Sequence, residues 1–288
     1  MSALRPEVAA ILPEDHAVVA KFLHAHLNPR VPVAAWRGLL APAWTVGECG
    51  CVLRVHGDVV GAYIVVPSRR PIGSDATGKT HDVRNLAAFC VREEYRAHSL
   101  RLVRQVLARK DVVYTDLSPS GNVPAMNARL GFQHLDTRTR LSLNLPGATH
   151  GVRVTDDPDV IAAVLSGRDV QVYQDHRGAA AARHLVATSG ERYAYLMYRR
   201  DARKRLHVFA SPLYVGGDAD LLAEAWRGVG AHLLRRGYLA TLAEHRVMGF
   251  TLRGIGVDVT GRPKMYRGSD VDEGDIDYLY SELTLLEW

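Results

Sequence analysis

The sequence predicts an α/β (α+β) protein of two consecutive halves, each a mixed, mostly antiparallel sheet flanked by helices. Two observations predict it. Between Asn85 and Phe132 an unbroken apolar run, Leu86-Ala87-Ala88-Phe89-Cys90-Val91, leads through a short basic loop into a helix, a second strand and a second helix. After Leu145-Pro146-Gly147 the order of elements starts again, which divides the chain into residues 1–147 and 148–288. The repeat is one of pattern rather than residue identity. At 288 residues there is room for two domains of ordinary size.

In the first half, Val8 to Leu12 reads as an edge strand, and Pro13-Glu14-Asp15 opens an amphipathic helix through about Leu27. Asn28-Pro29-Arg30-Val31-Pro32 breaks it, and a shorter helix carries Trp36, Leu39 and Leu40. Cys51 to Val55, a His56-Gly57-Asp58 turn and Val59 to Val66 form a hairpin. A loop from Pro67 to Asp82 leads into the apolar strand. Ser99 is placed to cap the helix after it, in which Leu100, Val103, Val106 and Leu107 repeat at helical spacing. A helix opening directly after a buried strand presents free N–H groups and the positive end of a dipole, a setting suited to a pyrophosphate.

The second half reads as a strand at Val152 to Val154, a helix through about Leu165 and a further helix. A hairpin follows (His184 to Ala187, Tyr193 to Tyr198), then a buried strand from Leu206 to Ala210. A helix from Ala219 to Arg236 and a strand from Tyr238 to Ala243 complete the pattern, with Ile276 to Leu283 alternating like a closing strand.

Composition narrows the class. The formal charge of +5 suits a phosphorylated cofactor, an acidic substrate or RNA, and separates none of them. Arg199-Arg200, Arg203-Lys204-Arg205 and Arg235-Arg236 read as solvated turns and helix ends, so no nucleic-acid role is expected. Three cysteines, Cys49, Cys51 and Cys90, argue against a disulfide-built fold, and Cys49-Gly50-Cys51 has no second pair for zinc. No metal site is expected from the histidines. Met1 to Ala10 carries proline and charge rather than a long apolar run, and no segment approaches a membrane span, so a cytoplasmic location is expected.

Two motifs carry the functional reading. The first is Arg96-Ala97-His98-Ser99-Leu100-Arg101 at the head of a helix. The second is the strand Val112 to Leu117, then Asn122-Val123-Pro124-Ala125, then Leu130-Gly131-Phe132. In this order the stretch resembles the acyl-CoA-binding core of the GNAT superfamily of acyltransferases. That family reads Arg/Gln-x-x-Gly-x-Gly/Ala, then Asn-x-x-Ala in a helix ending Leu-Gly-Phe. Ser99 and Arg101 stand where the family has small residues, usually glycine. The resemblance covers about the first half of the chain. The second half, with Asp218 and Asp220 where a pyrophosphate would sit and no second motif, reads as a degenerate GNAT-like domain.

The resemblance implies direct transfer of an acyl group from acetyl-CoA or another acyl-CoA to an amine or hydroxyl of a small molecule, with an acyl carrier protein as an alternative donor. It implies that a backbone N–H at Cys90 or Val91 meets the thioester carbonyl. Backbone groups of Ala97, His98, Ser99, Leu100, Arg101 and Leu102, with Arg96 and Asn122, would hold the cofactor. Where many members keep a glutamate base in the central strand, this sequence offers Asn85, and where they keep a tyrosine acid it offers Asn127. Asp116 is the best-placed carboxylate in sequence terms, with a turn-capping role as its structural alternative. Tyr114, His81 and Asp82 are further candidates. Two other readings remain: aminoacyl transfer from charged tRNA, as in FemABX-type enzymes, and non-catalytic acyl-CoA binding. The sequence does not indicate the oligomeric state.

Overall fold

The computed structural model describes residues 6–44, 47–72 and 80–287. In chain order the elements are β1 (Glu7–Ala10), α1 (His16–His26), α2 (Val33–Leu40), β2 (Gly50–Val55), β3 (Asp58–Pro71), β4 (Thr80–Val91), α3 (Ser99–Val106), β5 (Val113–Asp116), α4 (Val123–Arg129) and β6 (Gln133–His134). There follow β7 (Arg138–Leu143), β8 (Arg153–Thr155), α5 (Pro158–Val164), α6 (Arg168–His176), β9 (Arg183–Ser189), β10 (Arg192–Arg203), β11 (Leu206–Gly217) and α7 (Ala219–Arg235). The chain closes with β12 (Ala240–Glu244), α8 (His245–Met248), β13 (Gly256–Thr260), β14 (Met265–Arg267) and α9 (Glu282–Leu285).

Two sheets of seven strands result, in the orders β1-β2-β3-β4-β5-β14-β6 and β13-β7-β12-β11-β10-β9-β8. Each is antiparallel except at one place, β4 beside β5 in the first and β11 beside β12 in the second. The division does not fall at 147/148. Among the described residues, one compact unit is formed by those up to Leu135 with Lys264–Ile276 and Tyr280–Leu286, and the other by Asp136–Pro263 with Asp277–Leu279 and Glu287. The reason lies in two pairings that join distant parts of the chain. β7 finds its partners in β12 and β13, whereas β14, near the end of the chain, inserts between β5 and β6.

The first unit is organised around α3. Leu102, Val103 and Val106 pack in one cluster with Leu53, Val65, Leu86, Tyr114, Phe132 and Met265. At about 1.5–3 kcal/mol per fully buried aliphatic side chain, these three residues anchor the helix to the sheet. Arg267 on β14 secures both helices at their C-terminal ends. Its guanidinium donates to Leu130 O at 3.1 Å and Leu107 O at 3.4 Å, and lies 4.7 Å from the centre of the Tyr114 ring. Leu107 and Leu130 are the C-caps of α3 and α4, where carbonyls lack helical partners and the dipole favours a cation.

In the loop expected from Pro67 to Asp82, the described residues other than Ile72 are strand. β3 and β4 pair out to Pro71 and Thr80, and residues 73–79 of the expected loop lie outside the described residues. Buried Ser68 and Arg70 alternate with exposed Arg69 and Pro71, and Arg70 lies over the Tyr280 ring at 5.1 Å, which accommodates an arginine inside. The tail from Ile276 to Leu283 is likewise not a closing strand. Ser281 caps α9 by accepting from Leu283 N at 3.3 Å, so the segment turns helical. In the second unit α7 packs Leu221, Leu222, Ala225, Val229 and Leu233 against Leu185, Leu196 and Ala210.

Candidate functional site

β4 and β5 run side by side for only three residues, Val83↔Val113, Arg84↔Tyr114 and Asn85↔Thr115. Beyond Asn85, β4 stays paired with β3 alone, and β5, which has β14 along its other edge, ends one residue further on at Asp116. The pairing of β4 with β3 slips at the same place: Leu86 opposes Val65 and Ala88 opposes Ile64, leaving Ala87 bulged. A bulge bends and twists its strand, so β4 leaves β5 here. Backbone groups along the diverging edges are then open to a ligand. Cys90 and Val91 lie past the bulge. Burial pushes the Cys90 thiol up, partly offset by the charge of Arg96, so it is a small apolar side chain rather than a nucleophile.

Side chains at the point of divergence separate by face. Directly opposite residues share a face and successive ones alternate. Tyr114 packs on α3, its hydroxyl within hydrogen-bond distance of Val106 O at 2.9 Å and Arg109 O at 3.1 Å, which ties this phenol to the end of the helix. Asp116 lies on the same side and accepts from Asn127 Nδ2 on α4 at 2.7 Å. It is only 5 % exposed, and burial raises its pKa from 3.8 to about 6 against the opposing pull of Asn127 and the Ser118 amide. Asn127 sits where the family resemblance places a tyrosine. Its own Oδ1 is buried with no hydrogen-bond partner among the described residues.

Asn85 and Thr115 face the other way. Asn85 Nδ2 donates to Thr115 Oγ1 at 3.1 Å, and Asn85 Oδ1 accepts the backbone N–H of Glu282 at 3.1 Å. Ser118 Oγ, just beyond β5, donates to Glu282 Oε1 at 2.5 Å. Glu282 is fully buried. Asp82 and His81 stand apart at the start of β4, where Asp82 pairs with Arg109 at 3.0 Å.

The loop after β4 is more closed than its motif suggests. A 3-10 turn spans Glu93–His98 and runs straight into α3, so Ser99 is the first helical residue rather than a cap. Its N–H is spent on Arg96 O. In such a turn each N–H is used by the carbonyl three residues back, which removes donors that an open glycine loop would offer. Arg96 pairs with Glu93 at 3.3 Å and Arg92 with Glu94 at 3.2 Å. Arg101 turns its guanidinium to Pro6 O, Leu102 is a core residue, and Leu100 is exposed. Asn122 stands at the N-cap of α4 with no side-chain cap bond.

Glu282 and Ser118 are the residues that the motifs did not reveal. Ser281 before an apolar Leu283 is a helix-start signal that would have separated this tail from a strand, although nothing local indicates that it lies beside Asn85. In the second unit the corresponding turn is occupied by the protein's own carboxylates. Asp218 caps α7 through Leu221 N at 2.8 Å and pairs with Arg192 at 2.7 Å. A Cβ on Gly216 would lie 2.2 Å from Asp169 Oδ1, so the glycine makes room for that carboxylate, which accepts from Tyr193 and Tyr214. Gly216 and Gly217 thus end a strand.

No helix among the described residues is long and apolar enough to cross a membrane, and no cluster of metal-ligating side chains occurs among them. No family model and no curated protein matches the sequence. Solved structures do match. A GCN5-related N-acetyltransferase from Anabaena variabilis superposes with a TM-score of 0.61 over 91% of this chain and 72% of that one, at 10% identity. A probable N-acyltransferase from Enterococcus faecalis gives 0.58 over 92% and 73%, at 10% identity. A GCN5-related N-acetyltransferase from Kribbella flavida gives 0.52 over 91% and 72%, at 14% identity. At such identities the likeness is one of architecture, and the fold of this chain is that of the GCN5-related N-acetyltransferase (GNAT) superfamily.

Proposed function

We propose that this protein is an acyltransferase that moves an acetyl or other acyl group from an acyl thioester, acyl-CoA in the first instance, to an amine or hydroxyl of a small-molecule acceptor. The observation that carries this reading is the divergence of β4 from β5 after Asn85, with the bulge at Ala87 beside it. An acyl-pantetheine arm is a narrow chain with two amide groups, and it fits a gap between strands whose backbone groups are open. In this reading the N–H of Cys90 or Val91 polarises the thioester carbonyl. Asn127 Oδ1 is a buried acceptor available to a pantetheine N–H. Asp116, with its pKa near 6, exchanges a proton readily at neutral pH, and Asn127 orients it.

The cofactor phosphates would lie against Arg96 to Leu102 and Asn122. There they compete with Glu93 for Arg96 and with Glu94 for Arg92, so most of the affinity comes from the pantetheine arm. A donor that presents pantetheine without a nucleotide, such as an acyl carrier protein, suits the same cleft. The site belongs to the first half, and the second half supports it without a cofactor of its own. The reaction calls for no metal and no nucleic acid, and a cytoplasmic location supplies acyl-CoA. The closed loop also favours a second reading, a protein that binds thioesters without turning them over. Native mass spectrometry with CoA, acetyl-CoA and longer acyl-CoAs, followed by thiol release over a panel of primary amines, tests both. Complex formation with thiol release is the expected result. Complex formation without release leaves the binding protein, and neither would end both readings.

A further inference from the structure

We propose that Glu282 is the catalytic residue that takes the proton from the acceptor, in place of the carboxylate that β4 lacks where it leaves β5. The proposal rests on the acyl-transfer reading and adds to it. β4 offers only Asn85 at the point where it leaves β5, and Asn85 cannot take up a proton usefully. The chain brings a carboxylate to that place from 197 residues away in sequence, with the Glu282 amide on Asn85 Oδ1. The Glu282 side chain reaches across to Ser118 at the end of β5, so one residue touches both lips of the divergence. Complete burial of a carboxylate carries a large desolvation penalty. A fold tolerates it where hydrogen bonding compensates, as the Ser118 hydroxyl does here, and often where the group has work to do.

The two carboxylates at the site are held by different partners. Asp116 is tied to Asn127 on α4, on the side of the loop that would hold the donor, whereas the Glu282 backbone meets Asn85 and its carboxylate meets Ser118 beyond the end of β5. An acyl transfer has two proton steps, and this arrangement separates them. The acceptor nitrogen forms its bond to the thioester carbon while the C–S bond breaks, leaving its electron pair on sulfur. The proton shed by nitrogen passes to the Glu282 carboxylate, and the thiolate takes a proton from Asp116. Solvent then removes the first proton and restores the second, so amine and thioester become amide and thiol.

The test is thiol release from acetyl-CoA, with water and with a panel of primary amines as acceptors, for the parent, Glu282→Gln and Glu282→Ala. Glu282→Gln keeps the shape and can still accept from Ser118, so it is expected to bind acetyl-CoA as the parent does and to melt no lower. Its rate should fall by about a hundredfold to ten-thousandfold. Added formate should restore turnover to Glu282→Ala and leave Glu282→Gln unchanged. A Glu282→Gln variant as fast as the parent would overturn the proposal, as would a rate loss that only tracks a lower melting temperature. If the parent itself releases no thiol with any acceptor, the acyl-transfer reading fails first and the proposal falls with it.

Discussion

Replacing Asp116 by asparagine separates what this carboxylate does for stability from what it does for turnover. Its pKa rises from 3.8 in the unfolded chain to about 6 in the fold, chiefly through burial. A shift of about two units, at 1.36 kcal/mol each, is about 3 kcal/mol of linkage. The sign follows from proton uptake. Between pH 4 and 6 the folded protein holds a proton that the unfolded chain has lost, so the parent loses stability as pH rises through that window. Above pH 6 the whole penalty is present, and below pH 4 it is absent. Asparagine carries no charge and can accept from Asn127, but its amide cannot also accept from the Ser118 N–H, a loss of about 1 kcal/mol. Asp116→Asn should therefore be about 2 kcal/mol more stable than the parent at pH 7 and about 1 kcal/mol less stable at pH 4. Urea unfolding of both proteins from pH 4 to pH 8 measures the difference. Turnover should fall by about a hundredfold or more, with little change in acyl-CoA affinity. A stability difference that does not vary with pH would refute the burial argument, and an active variant would return Asp116 to a purely structural role.

Ser99→Asp should leave the fold intact, since an acid is welcome in a first helical turn, and should weaken CoA binding by calorimetry while leaving the affinity for pantetheine unchanged. The parent should saturate near one equivalent of CoA per chain, because Asp218 and Asp169 occupy the corresponding turn of the second unit. Two equivalents, or one whose affinity for CoA is unchanged in Ser99→Asp, would place the site elsewhere. Arg267→Ala removes two hydrogen bonds at helix ends and the contact with Tyr114, and should cost about 2 kcal/mol in thermal unfolding. Gly216→Ala puts a methyl group into the Asp169 carboxylate and should cost about 1–3 kcal/mol, while Gly228→Ala, with its neighbours at ordinary contact distance, should cost less.

Local chemistry made part of this molecule legible. The apolar run of β4, the hairpins and the periodic face of α7 are short-range patterns, and each is found where the sequence put it, although β3, β4 and β10 run about five or six residues beyond the expected bounds. Leu130-Gly131-Phe132 likewise closes a helix, with Gly131 at φ +84° where a side chain would be strained. Ser99 was misread because a 3-10 turn and a capped helix start draw on the same polar residues. The choice between them lies with Arg96 O, a backbone group that leaves no trace in the sequence. The partners of β7 and β14 were out of reach for a different reason. Pairing between residues more than a hundred positions apart is selected by the assembled sheet, and a three-residue strand such as Met265-Tyr266-Arg267 has no periodicity to read. Glu282 was invisible on the same ground.

The insertion of β14 between β5 and β6 has a consequence for the nascent chain. When the ribosome has delivered residues through Leu135, every helix of the first unit but α9 has been made, yet β5 holds only three residues of β4 and β6 has no partner. Those bare edges persist while more than a hundred further residues are synthesised, and unpaired edges invite pairing with other chains. The first sheet therefore closes after the strands of the second have all emerged, and Asn85 meets Glu282 only once a further 197 residues have been made. Maturation of this site is a late event, timed by the length of chain that separates its two walls.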